Sequence, residues 1–89
     1  MKGLYKLQID CGRLGYLRGL FIAKVEEINK LINDKIEIYF GEVLGKFSQI
    51  SEVITNENVI LVTTDVNIID IIIKYDLETG YNPLDYYEN

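Results

Sequence analysis

Three cationic side chains sit among glycines in this chain. Five of the seven glycines fall within residues 12–19 and 41–45, and the same two stretches hold or adjoin Arg13, Arg18 and Lys46. Glycine lets the main chain come close to a phosphate or carboxylate, and arginine adds a bidentate pair of charged hydrogen bonds. The candidate ligand-binding set is therefore Gly12, Arg13, Gly15, Tyr16, Arg18, Gly41, Gly45 and Lys46. In that set the glycine N–H groups donate, the cations neutralise an anion, and Tyr16 offers a flat face for stacking. Glycines in small domains more often serve hairpin turns, so the same residues also fit a purely structural role.

Catalytic chemistry finds little support. The chain has no histidine, and Cys11 is its single cysteine. This leaves no disulfide within the chain, no Cys/His zinc site and no histidine base for a nucleophilic triad. Asp10 beside Cys11 would raise the thiol pKa and weaken it as a nucleophile, so Cys11 reads as a small packing residue. Asp65, Asp70, Asp76 and Glu78 lack the spacing of a calcium loop. The stretch Gly41-Glu42-Val43-Leu44-Gly45-Lys46-Phe47-Ser48 has three residues between its glycines, and Phe47 separates Lys46 from Ser48. A nucleotide phosphate loop needs four residues there and a hydroxyl directly after the lysine, so a hairpin turning near Leu44-Gly45 fits better. The expectation is a protein that is not an enzyme and uses no cofactor and no metal.

These residues must be held by short elements. Residues 4–10 alternate apolar and polar, the period of a half-buried strand, and residues 20–23 read as a second strand. Over 24–34 the period changes: Val25, Ile28, Leu31 and Ile32 share one helical face, with Glu26 and Glu27 in the first turn. Residues 35–40 and 47–54 alternate again, and Val59 to Thr63 reads as a fifth, more buried strand. Asp65 can cap a helix over 66–75, with Ile68, Ile69, Ile72 and Ile73 as its core stripe and Ile71 widening it. Five isoleucines would suit a strand equally, and the polar Asn67, Asp70 and Lys74 favour the helix. The order β-β-α-β-β-β-α predicts a two-layer α+β domain, about five mostly antiparallel strands with two helices, over residues 1–80. Residues 81–89 form a Tyr-rich tail, expected to fold back on the sheet with Leu84 and one tyrosine as anchors. If the first helix is a parallel crossover, the two glycine stretches lie at opposite sheet ends. A shared site then requires a homo-oligomer.

The chain has 89 residues and a formal charge of −5. Residues 1–46 carry eight basic side chains against six acidic ones, whereas residues 47–89 carry one lysine against eight acids. An acidic half does not bind nucleic acid through phosphates, but it can attract a basic protein surface. The longest apolar runs are four residues, far short of the about 20 needed to cross a bilayer. With one cysteine and no signal-peptide core, the expected setting is the cytoplasm.

The segments Asp10-Cys11-Gly12-Arg13, Phe40-Gly41-Glu42-Val43-Leu44-Gly45-Lys46 and Gly80-Tyr81-Asn82-Pro83-Leu84-Asp85-Tyr86 resemble those of short bacteriophage and mobile-element proteins of AT-rich, low-GC Gram-positive hosts. That resemblance implies an anti-defence role in the host cytoplasm, by sequestering a nucleotide signal or by blocking a nuclease. Two functional expectations follow. The first is a non-enzymatic, homo-oligomeric module that sequesters an anionic, nucleotide-like ligand at the residues named above. The second is an acidic inhibitor whose Asp70, Asp76, Glu78, Asp85 and Glu88 dock on the basic nucleic-acid-binding surface of a host protein. A third, structural reading makes the isoleucines at 68–73 the interface of a subunit in a larger assembly.

Overall fold

The computed structural model describes residues 1–45 and 48–87. In chain order its elements are β1 (Lys2–Asp10), β2 (Tyr16–Lys24), α1 (Val25–Asn33), β3 (Glu37–Gly41), β4 (Ile50–Val53), β5 (Val59–Thr63), α2 (Val66–Lys74) and β6 (Thr79–Gly80). Single 3-10 turns lie at Gly12–Leu14 and Pro83–Asp85. The fold is α+β, with two helices and antiparallel pairing throughout, as the sequence predicts. The strands divide into two sheets, however: β5-β1-β2-β6, and a separate ribbon of β3 and β4.

The long β1–β2 hairpin is the frame. Its register runs unbroken from Lys2 opposite Lys24 to Asp10 opposite Tyr16. Alternation then places Tyr5, Leu7 and Ile9 on the same face as Leu17, Phe21 and Ala23, and all six are buried. Tyr5 stacks on Phe21 at 5.7 Å between centroids. Against this face pack Ile28 and Leu31 of α1, Ile38 and Phe40 of β3, and Ile50 of β4. The helical face read for 24–34 is therefore the buried one. Val25 and Ile32, also on it, are partly covered.

Helix α1 is not a parallel crossover, which corrects the expected topology. After Asp34 the chain reverses: Lys35 adopts φ 51, and the Ile36 N–H returns to the Leu31 carbonyl at 3.0 Å. This Schellman-type end sends β3 away from β2 and into its own ribbon. Helix α2 ends the same way, with Asp76 at φ 52 and the Leu77 N–H on the Ile72 carbonyl at 2.9 Å. Its start is capped as expected: the Asp65 carboxylate accepts the N–H groups of Asn67 at 2.9 Å and Ile68 at 3.5 Å.

Two expectations about burial are overturned. Within β5 only Val59 is buried, and Ile60, Leu61 and Val62 stand about half exposed. In α2 only Ile69 is buried, with Ile72 partly covered, while Ile68, Ile71 and Ile73 are exposed. The reason is position. β5 is an edge strand, and α2 lies on the sheet face away from the main core, where Leu4 and Ile69 are buried apart from the main cluster. The last segment is part of the same domain: Pro83 is buried, and Tyr81, Leu84, Tyr86 and Tyr87 pack against the main core. Tyr86 meets Phe40 at 5.0 Å and Tyr81 at 6.5 Å between ring centroids.

Candidate functional site

Half of the glycine-bearing stretch 12–19 is strand. Tyr16 to Gly19 continue β2, so only residues 11–15 turn. Within that turn the glycine donors are taken. The Gly12 N–H donates to Asp10 Oδ1 at 2.8 Å, the Gly15 N–H to the Gly12 carbonyl at 3.1 Å, and the Cys11 N–H to the Gly15 carbonyl at 2.8 Å. Gly12 and Gly15 therefore shape a hairpin end and offer no free N–H to an anion. Arg13 is exposed on this turn, which the Asp10 carboxylate closes through the Gly12 N–H.

Arg18 and Tyr16 are brought together. Both point to the face of the sheet opposite the main core, and the Arg18 guanidinium lies over the Tyr16 ring at 4.8 Å from its centroid. Lys6 stands opposite Leu20, and Gln8 opposite Arg18, so Lys6 and Arg18 are diagonal neighbours on this face. With Leu20, Thr79 and Gly80 they line a cavity of about 350 Å³. Lys6 was absent from the candidate set. The alternation of Lys6 with the buried Tyr5 and Leu7 was the signal that could have placed it on the open face.

Gly41 ends β3 opposite Ile50, and Gly45 lies in the β3–β4 connection, where its carbonyl accepts the Ser48 hydroxyl at 2.6 Å. Lys46 lies outside the described residues. The two glycine stretches are nevertheless joined within one chain, by Tyr81. Its N–H donates to the Arg18 carbonyl at 3.0 Å and its hydroxyl to the Val43 carbonyl at 3.3 Å. No second copy is needed to connect them, which removes the argument that tied the site to an oligomer. Tyr81 can reach both because Gly19 and Gly80 carry no Cβ: a methyl at Gly19 would overlap the Tyr81 main chain, and one at Gly80 the Arg18 carbonyl.

On the far side of β6 the charge reverses. Asp76, Glu78 and Asp85 line a neighbouring cavity of about 280 Å³ with Leu20, Thr79, Gly80 and Asn82. Glu78 Oε1 accepts the Ile22 N–H at 2.6 Å, which fixes its carboxylate against β2. Asp70 stands exposed on α2, and Glu88 lies outside the described residues. Cys11 is partly covered and packs against the core. Its thiol pKa is raised first by burial and then by the charge of Glu52, with Asp10 a smaller contributor, so it is a poor nucleophile at neutral pH. Among the described residues no cluster of three or more His, Cys, Asp or Glu converges as metal ligands would, and no helix is long and apolar enough to cross a membrane. No family model, curated protein or solved structure matches this chain.

Proposed function

We propose that the protein is a non-enzymatic binding module that holds a small anionic, nucleotide-like ligand on the open half of its main sheet. One observation carries this reading: Lys6 and Arg18 line a single cavity of about 350 Å³, with Tyr16 under the Arg18 guanidinium. Two like charges held as diagonal neighbours repel one another, and an anion between them turns that cost into attraction. The volume falls in the range of small-ligand sites. The binding residues are then Lys6, Tyr16 and Arg18, with Gly80 allowing close approach along one wall. Arg13, Gly12 and Gly15 shape the hairpin end. In the setting that the sequence resemblance implies, the protein is a phage-encoded anti-defence factor. It acts in the host cytoplasm by removing a nucleotide signal from solution.

Calorimetric titration with inorganic pyrophosphate and a panel of mono-, di- and cyclic nucleotides tests this. Arg18→Ala is expected to cost about 1.5–3 kcal/mol of affinity, the worth of a charge-assisted hydrogen bond. Arg13→Ala is expected to leave affinity unchanged. No heat from any member of the panel overturns the reading.

A second reading is favoured by the acidic cavity. Asp76, Glu78 and Asp85 gather beside β6 and would suit a protein inhibitor that meets a basic surface. In that case a basic partner's affinity falls steeply with salt and is untouched by Arg18→Ala.

A further inference from the structure

We propose that β5 is the contact edge of a two-fold dimer, and that its occupant is β5 of a second copy of this chain, paired antiparallel about Leu61. This goes beyond the ligand reading and does not depend on it. β5 closes one side of the main sheet. The phase of its pairing with β1 is set by the Gln8 N–H, which donates to the Asn58 carbonyl at 2.8 Å. In an antiparallel ladder alternate residues face the same neighbour. Asn58 and Ile60 therefore turn their main chains to β1, and Val59 and Leu61 turn theirs outward. The Val59 N–H is already held by the Thr55 carbonyl at 3.0 Å. Among the described residues the outward N–H and C=O of Leu61 have no main-chain partner.

The side chains agree with the main chain. Ile60, Leu61 and Val62 of β5, with Val66, Ile68 and Ile71 of α2, are between 43% and 67% exposed. Proteins normally protect a sheet edge with lysine, proline or a bulge. β5 reads Val-Ile-Leu-Val-Thr, with no charge and no proline, and a bulge at Val62 is its one protection. Ile60 and Leu61 stand on opposite faces of this edge, so a strand added there meets apolar side chain on both faces.

A second copy fits this edge better than a foreign chain. The outward Leu61 main chain offers one donor and one acceptor, so a two-fold axis there satisfies both by reciprocal bonds. β5 itself carries no charged residue, so no like charges pair within the β5–β5 ladder. The axis is perpendicular to the sheet. It makes one continuous sheet twice as wide and sets both Lys6–Arg18 faces on the same side.

Light scattering coupled to size exclusion, with no ligand present, tests the proposal. The wild type is expected at twice the chain mass of 10.3 kDa, dissociating on dilution. Val62→Lys places a charge on the contact and is expected to weaken the dimer at least tenfold. Leu61→Pro removes the outward N–H while leaving the β1 ladder bonds, and is expected to give a monomer with the wild-type circular dichroism spectrum. If Leu61→Pro fails to fold, Val62→Lys decides. Three results would overturn the proposal: a monomeric wild type at its highest soluble concentration, a mass that grows without limit, or a dimer unmoved by Val62→Lys. None of them bears on the pyrophosphate titration, so the two readings fail separately.

Discussion

Gly12 and Gly80 have nearly the same positive φ, +65 and +69, in different surroundings. A Cβ at Gly12 meets nothing within 4 Å, whereas one at Gly80 overlaps the Arg18 carbonyl and the Gly19 main chain. Alanine at either site bears the left-handed strain, about 1–2 kcal/mol. Only at Gly80 must β6 also retreat from β2. That retreat loosens the two-rung ladder of Gly19–Gly80 and Leu20–Thr79, and the Tyr81 bond to the Arg18 carbonyl. It also frees part of the burial of residues 81–87. Three hydrogen bonds at about 1 kcal/mol each, less what the displaced chain recovers from water, add roughly 2 kcal/mol. Gly12→Ala is thus expected to lower the melting temperature by about 4–16 °C, and Gly80→Ala by about 8–16 °C more than that, at about 4–8 °C per kcal/mol for this chain length. Gly19→Ala, without the positive φ, isolates the overlap with Tyr81. Thermal and urea unfolding followed by circular dichroism give the numbers, and limited proteolysis after Tyr81 reports detachment of the last segment. Equal losses at Gly12 and Gly80 would refute the reasoning, because the close approach of β6 would then contribute nothing.

Asp65→Ala removes the α2 cap and is expected to cost about 1 kcal/mol in urea unfolding, with Asp65→Asn keeping most of it. Burial, reinforced by the charge of Glu26, raises the Tyr5 hydroxyl above its ordinary pKa of 10.0. A folded-state value above the unfolded one means that this stability is intact below about pH 10 and is lost as pH rises through the folded value. Tyr5→Phe should flatten that alkaline decline in a pH series of melting temperatures. Cys11, with its raised thiol pKa, should react with iodoacetamide at pH 7 more slowly than free cysteine and reach that rate on unfolding in urea.

The elements were legible where a period was clean. The alternation Tyr5, Leu7, Ile9 and the helical spacing Val25, Ile28, Leu31, Ile32 marked the faces that the core uses. The sheet division was not legible, because both helices turn out through Lys35 and Asp76 at positive φ, where no glycine marks the stop. β5 and α2 misled because apolar content alone does not distinguish a buried strand from an uncovered edge. Ile60, Leu61, Val62, Ile68, Ile71 and Ile73 have the composition of a core and the exposure of a surface. At the candidate site, Tyr16 and Arg18 were picked out by their place among glycines, but their shared strand face was not legible, because the second strand was read only over residues 20–23 and β2 starts at Tyr16. The roles of Gly12 and Gly15 were not, because composition cannot say whether a glycine N–H is free. Lys6, Gly80 and Tyr81 join the site by long-range pairing that only the fold creates.

Mapping of amide resonances during a pyrophosphate titration reads the ligand's position residue by residue. Shifts concentrated at Lys6, Gln8, Arg18, Leu20 and Gly80, with Arg13 and Gly45 still, are the predicted outcome. Shifts confined to residues 11–15 or 41–45, or a spectrum that never moves, would contradict an anion held on the open half of the sheet.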